Sequence, residues 1–310
     1  MRIRATVAAV TGALALSAFA VPAAQADDST ASRADAAKVR EAARSVRATY
    51  DQTSARVVAE DDAPYALDLT FSNVKVNGGK PIVAGTSKQV TVPTTFTVTH
   101  GADVDILADD FILDVEIYRG SYGEPDNTLY GDNLPTCTPV STTVATCKGT
   151  IDVYPGIELD NTDATSWKAL GYAIAFNGQD PAGETFDVTK VGYAEQDALA
   201  STKLQRYSKL TVNAAPEPVK KGRTITVTGA LTRANWNTHK YAGYTNQPVK
   251  LQYKKKGTTT YQDVKTVTSS TAGSLKTTVT ASYDGYYRYN FAGTSTTPAV
   301  KATGDFIDVQ

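Results

Sequence analysis

The chain of 310 residues carries 31 basic and 32 acidic side chains. Its formal net charge of −1 leaves the chain as a whole neither basic nor acidic. Two cysteines without CxxC spacing and two histidines are too few for a zinc or redox framework. Abundant Thr, Val and Gly and 17 tyrosines, against a single methionine, mark a β-rich composition.

The chain opens with Arg2 and Arg4, an apolar run from Ala5 to Val21, and the small-x-small site Ala24-Gln25-Ala26. That order predicts a secretory signal peptide over residues 1–26, cut after Ala26. No second apolar run reaches spanning length, so the expected destination is extracellular or loosely wall-associated, without membrane insertion. Residues 27–62 form an Ala/Arg-rich lead without Gly or Pro. Ser32 with Asp35 offers a helix start, and Ala36, Val39, Ala43, Val46, Tyr50, Thr53 and Val57 recur at three- and four-residue steps. The face they make is thin, which fits a loosely docked helix or a flexible spacer.

From residue 63 to 213 the period changes to two. Leu67-Leu69-Phe71, Val90-Val92, Phe96-Val98, Leu113-Val115-Ile117, Ile151-Val153 and Tyr172-Ile174-Phe176 alternate with polar neighbours, and turn residues separate the runs. Short alternating strands with such punctuation predict an antiparallel sandwich. Within it, Cys137 and Cys147 flank TPVSTTVAT, read as a hairpin whose arms they staple. In an oxidising compartment this disulfide is the single pairing available.

AAPEPVKKG, residues 214–222, reads as a Pro-rich linker. Alternation resumes over 223–310, at Ile225-Val227, Val249-Leu251-Tyr253 and Leu275-Val279, which predicts a second sandwich. In DGYYRYNF, Tyr287, Tyr289 and Phe291 share one face, predicted to be core, and Tyr286 shares the other with Arg288 and Asn290. The expected fold class is therefore all-β, two tandem sandwiches behind a signal peptide and the short lead.

The stretches KKGRTITVTGALTRANW, LQYKKKGTTTY and GYYRYNFAG, from about Pro216 to the C-terminus, resemble a bacterial immunoglobulin-like domain of secreted actinobacterial proteins. The segment SNVKVNGGKPIV looks like a tandem member of the same group. The resemblance implies immunoglobulin-like sandwiches, with Tyr287 in the tyrosine-corner region and Tyr289 where a disulfide cysteine can stand. Some members are labelled calcium-binding. It implies no activity, since one sandwich serves many functions.

The chain holds no GxSxG elbow and no HExxH helix, and His100 and His239 fall in turn-like stretches, so an extracellular hydrolase is the weakest reading. Calcium is a stronger alternative: Asp103, Asp105, Asp109 and Asp110 in GADVDILADD, and Glu158, Asp160, Asn161 and Asp163 in ELDNTD, are hard oxygen ligands on loops. The EF-hand order is absent, lacking its sixth-position Gly. Charge is distributed unevenly. Residues 63–213 carry 19 acids against 10 bases, net −9, and residues 214–310 carry 13 bases against 5 acids, net +8. Lys254, Lys255 and Lys256 are the densest basic patch, suited to an anionic cell-wall polymer or polysaccharide or simply to a solvated hairpin tip. In TRANWNTHKYAGYTN, read as a loop, Trp236, Tyr241 and Tyr244 could stack on sugar rings with Asn235 and Asn237 as hydrogen-bond partners; otherwise Trp236 plugs the end of the sandwich. The expected role is a non-catalytic binding or structural protein of the cell envelope.

Overall fold

The computed structural model describes residues 38, 40–48, 63–180 and 184–310. The signal segment, and the Ser32, Ala36, Val39, Tyr50, Thr53 and Val57 positions of the lead, lie outside the described residues. Within the lead, residues 40–48 are helical (α1).

Ten strands build the first sandwich: β1 (Tyr65–Ala66), β2 (Leu69–Val76), β3 (Ile82–Ala84), β4 (Val90–His100), β5 (Phe111–Gly120), β6 (Pro125–Leu129), β7 (Thr136–Pro139), β8 (Val144–Val153), β9 (Ser166–Ala175) and β10 (Gly192–Arg206). One sheet runs β2-β4-β8-β7 and the other β1-β10-β9-β5-β6, with β3 joining the far end of β10. All pairings are antiparallel except those of β1 and β3 with β10. The core between the sheets follows from alternation: Phe71, Val92, Phe96, Val98, Val115, Ile117, Ile151 and Trp167 all point inward. Cys137 and Cys147 face each other across β7 and β8 and are bonded.

The alternation of β9 is used differently from the sequence expectation. Trp167, Ala169, Ala173 and Ala175 enter the sandwich core. Tyr172, Ile174 and Phe176 face the opposite way and form a second cluster with Ala43 and Val46 of α1. The helix thus covers the outer face of β5-β9-β10, which is why Asp114, Glu116 and Tyr118 are buried together with Leu113, Val115 and Ile117. A strand buried on both faces loses the solvent side that a polar residue normally marks.

The second sandwich contains β11 (Ser208–Leu210), β12 (Asn213–Ala215), β13 (Thr224–Asn235), β14 (Lys240–Gly243), β15 (Pro248–Lys255), β16 (Gln262–Thr268), β17 (Ser274–Thr280), β18 (Gly285–Phe291), β19 (Val300–Lys301) and β20 (Asp305–Ile307). β13 pairs with β11, β12, β14 and β17; the facing sheet runs β16-β15-β18-β19, with β20 also on β18. Two antiparallel five-stranded sheets packed face to face, with the chain crossing between them at β14–β15, β16–β17 and β17–β18, make the immunoglobulin-like sandwich. Tyr287, Tyr289 and Phe291 are buried between the sheets, and Tyr286 is not. The Tyr289 hydroxyl crosses the core and donates to the Val227 carbonyl on β13 at 2.9 Å. It therefore ties the same two sheets that a cysteine at this strand ties in antibody domains. Gly229 of β13 makes room for that ring, since a Cβ there would lie 2.9 Å from Tyr289 and 2.3 Å from the Thr211 carbonyl.

The Pro-rich segment 214–222 is not a free linker. Ala214 and Ala215 pair with Val227 and Thr226, and the buried Val219 bridges Val309. Its prolines fall where the chain leaves an edge, the place a strand tolerates them. The passage between sandwiches is shorter, since only Tyr207 separates β10 from β11. Side chains lock it: Asn161 donates from its backbone to Asn237 and from its side chain to Asn235, both at 2.9 Å, and Gln205 donates to the Thr294 carbonyl at 3.1 Å.

Candidate binding face of the second sandwich

The outward face of the β16-β15-β18-β20 sheet gathers several cations and rings. Directly opposed residues of neighbouring strands project to the same face. Register therefore sets out three rows across the sheet. Lys250, Asn290 and Lys301 make the first, Asp263, Gln252 and Arg288 the second, and Lys254, Tyr286 and Phe306 the third. Tyr261, one residue before β16, closes the third row: the Arg288 guanidinium lies 3.6 Å from its ring centroid and the Lys254 ammonium 5.2 Å. Lys254 also lies 4.6 Å from the Tyr286 centroid, and Tyr286 meets Phe306 at 5.2 Å.

The polar groups hold one another in place. Arg288 donates through Nε to Gln252 at 2.8 Å, Gln252 donates to Asp263 at 2.7 Å, and Lys250 reaches Asp263 at 2.6 Å. Those hydrogen bonds, from Gln252 first and Lys250 second, hold the Asp263 carboxyl below its ordinary pKa. Lys256 approaches Phe306 at 5.4 Å and Asp284 at 3.2 Å, and Asp284 is likewise lowered, chiefly by the Val309 backbone N–H and then by Lys256. Lys255 turns to the adjoining edge, 4.4 Å from the Tyr283 ring that Lys221 also approaches. The result is a half-buried surface of cations seated on aromatic rings. Each cation–ring contact is worth roughly 0.5–1 kcal/mol where exposed and orders a long side chain that would otherwise roam. Chemically, such a face can stack a ring, donate many hydrogen bonds and neutralise anions.

Sequence reading named Lys254, Lys255 and Lys256 as binding residues and did not name Arg288, Lys250, Lys301, Tyr261 or Phe306 as such, which the register sets on the same sheet or at its edge. The signal for Arg288 was present, since it shares the Tyr286 face of the strand. The others depend on cross-strand register.

Trp236, Tyr241 and Tyr244 do not form a sugar-stacking loop. Their segment is a hairpin, β13–β14, with its turn at residues 236–239. Trp236 is fully buried, joins the core of the first sandwich, and donates through Nε1 to the Gly85 carbonyl at 2.7 Å. A ring with no exposed face cannot stack on a ligand. Tyr241 lies under the Lys209 ammonium at 3.6 Å with Tyr207 at its edge; burial first and Tyr207 second raise its pKa. Tyr244 packs against Phe291 and beneath Arg233, 3.8 Å from its ring. Asn235 and Asn237 are spent on Asn161.

Asp103, Asp105, Asp109 and Asp110 lie on the connection between β4 and β5. Asp105 accepts from the Leu107 backbone at 3.0 Å and Asp110 from Gly178 at 2.6 Å. Among the described residues, no three acidic, histidine or cysteine side chains converge on a point a metal ion could occupy. In the ELDNTD segment, Asp160 and Asp163 cap their own turn, Asp163 pairs with Arg119 at 2.8 Å, and Glu158 accepts from the Tyr154 backbone. His100 meets the Gly101 carbonyl at 2.9 Å and His239 sits in the hairpin turn with φ of 53°, both remote from the cationic face.

No family model matches the chain, and no curated protein matches it. Among solved structures it overlaps the ectodomain of mouse nectin-like molecule 4, Ig1–Ig3, at 13% identity and a TM-score of 0.21, over 79% of this chain and 65% of that one. It overlaps the Escherichia coli adhesin FdeC at 10% identity and a TM-score of 0.29, over 78% and 66%. The D00-D0 domain of intimin overlaps it at 11% identity and a TM-score of 0.22, over 77% and 98%. The chain thus spans just under two thirds of the first two. At these scores the immunoglobulin-like assignment rests on the chain's own sheets. Among the described residues, no helix is long and apolar enough to cross a membrane.

Proposed function

We propose that this chain is an exported, non-catalytic binding protein of the cell envelope that holds an anionic polysaccharide or wall polymer on the outward face of its second sandwich. The observation that carries this reading is the placing of Lys254, Lys256 and Arg288 on the rings of Tyr261, Tyr286 and Phe306. An extended polymer needs a flat surface, and a sheet face supplies one without a pocket. A repeating anion needs several cations at intervals, and rows of opposed residues on neighbouring strands, about 5 Å apart, supply those. The acidic first sandwich, net −9, repels the same polymer and so directs it to the other half.

The experiment is co-sedimentation of the mature protein with purified cell walls at low and high salt, beside two variants. Lys254→Gln with Arg288→Gln is expected to lower retention at least tenfold at low salt, and high salt to do the same to the wild type. Tyr286→Ala is expected to weaken retention while leaving its salt dependence in place. Retention of the cation-depleted variant at the wild-type level overturns the reading.

A further inference from the structure

Where the two sandwiches meet, Arg206 ends β10 and Arg233 lies near the end of β13. Ser208 stands opposite Arg233 in the β11–β13 ladder. Arg206, two residues earlier, projects to the same face on the diagonal, a separation that long side chains span. The ladder continues past Ser208: the Ala234 backbone donates to the Tyr207 carbonyl at 2.8 Å, and Arg206 Nε donates to the Ala234 carbonyl at 2.5 Å. Residues 294–298 run alongside. The Thr296 carbonyl accepts from the Arg206 backbone at 2.9 Å, and the Thr296 and Thr297 hydroxyls accept from Arg233 Nη1 at 3.4 and 3.1 Å. Gln205 pins this segment by donating to the Thr294 and Ser295 carbonyls.

Arg206 is 7% exposed, yet its two Nη nitrogens are not enclosed and have no acceptor among the described residues. Arg233 spends Nη1 on the threonines and one face on Tyr244; its Nε and Nη2 likewise stay open and without an acceptor. Hydroxyls stand beside them: Tyr244 meets Thr294 at 3.3 Å, and Thr294 meets Thr296 at 3.3 Å. Thr294 and Ser295 are exposed, so the place opens to solvent. Burial first and the Arg233 charge second hold Arg206 down to about 10, burial lowers Arg233, and only Tyr244 opposes either shift. No carboxylate acts on the pair. By contrast, Arg40, Arg47 and Arg119 of the first half each meet one. A buried guanidinium without a counter-charge is costly, and two side by side cost more.

Two guanidiniums with open N–H edges, hydroxyls beside them and no acid make the complement of a compact anion. We propose that this junction binds a tetrahedral oxyanion, phosphate or sulfate, free or carried as a monoester on a larger molecule, between Arg206, Arg233 and the Thr294 hydroxyl. Arg206 ends the first sandwich, while Arg233 and Thr294 belong to the second, so the bound anion also ties the two together. The site is separate from the cationic sheet face, whose Lys254 and Arg288 stand on β15 and β18.

The test follows thermal unfolding and calorimetry of the mature protein in phosphate, sulfate, glycerol 3-phosphate and chloride at matched ionic strength. A saturable rise in melting temperature with phosphate or sulfate, and none with chloride, is expected, since a ligand of the folded state stabilises it by mass action. Binding of glycerol 3-phosphate assigns the group to a larger molecule and its exclusion assigns a free ion; either upholds the oxyanion. Arg233→Gln is expected to lose at least tenfold in phosphate affinity. Thr294→Asp keeps an acceptor for the Thr296 backbone N–H, which Thr294 meets at 3.3 Å, and sets a carboxylate beside the guanidiniums. It is expected to melt above the wild type without phosphate and to gain nothing from phosphate. Lys254→Gln with Arg288→Gln is expected to leave this binding intact, which separates it from the wall retention above. No saturable effect of phosphate or sulfate beyond chloride, full phosphate binding by Arg233→Gln, or wild-type phosphate affinity in Thr294→Asp each overturns the proposal.

Discussion

Replacing Trp236 by alanine is expected to destabilise the first sandwich, although the residue belongs to a strand pair of the second. The ring is fully buried in the core formed by Trp167, Leu204, Ile82 and their neighbours, and its Nε1 satisfies the Gly85 carbonyl at 2.7 Å. Truncating a buried Trp costs about 3–5 kcal/mol through lost transfer energy and the cavity left behind. The orphaned carbonyl adds about 1 kcal/mol or more where water cannot reach it. At roughly 2–4 °C per kcal/mol for a chain of this size class, the midpoint falls by about 10 °C. Trp236→Phe keeps most of the volume and loses the hydrogen bond, so it should fall by a smaller step. The assay is thermal and urea unfolding followed by near-ultraviolet circular dichroism, with Trp167 fluorescence reporting the first sandwich alone in both variants. A loss below 1 kcal/mol, or a Trp167 transition that does not move, refutes the placement of Trp236 in the neighbouring core.

Serine at both Cys137 and Cys147 is expected to cost about 2–3 kcal/mol, since the bond closes a loop of 10 residues in the unfolded chain; reductant should lower the wild-type midpoint to that of the variant in denaturant titration. Tyr289→Phe removes the bond to Val227 and leaves a buried carbonyl open, so about 1 kcal/mol should be lost in urea unfolding, whereas Tyr286→Phe on the outward face should change stability little. Glu116 is raised to about 7, by burial first and the neighbouring Asp114 second, with Arg40 opposing. The folded chain therefore holds this proton more tightly than the unfolded one. The stability it contributes is complete below about 4.5 and is lost as pH rises through about 7. Glu116→Gln, which keeps the neutral form, should match the wild type near pH 4 and exceed it on the order of 2 kcal/mol at pH 8; a variant less stable at pH 8 contradicts this.

Much of the architecture was legible because period two is a local property. The inward sets Phe96-Val98, Val115-Ile117 and Tyr287-Tyr289-Phe291 needed only the pleat of a strand, and the Cys137–Cys147 bond needed only a hairpin. The lysine run at 254–256 was visible for the same reason. What remained hidden was set by partners distant in sequence. Nothing in β9 tells which of its two apolar faces meets the other sheet and which meets a helix, because Tyr172-Ile174-Phe176 is as apolar as the set that fills the sandwich. Residues 236–244 look polar enough for a loop, yet they pair as a hairpin and send a tryptophan into a neighbouring core.

The sequence by itself determined strand periodicity, the hairpin staple and the opposite charges of the two halves, since each is carried by composition or by neighbours along the chain. Only the tertiary structure decided that Arg40 is buried against Asp114 and Glu116, that Asn161 joins Asn235, and that Arg288 shares rings with Lys254. Each of those contacts joins side chains more than thirty residues apart or on different strands. Sheet register and the docking of α1 bring them together, and neither is written in any short stretch of the chain.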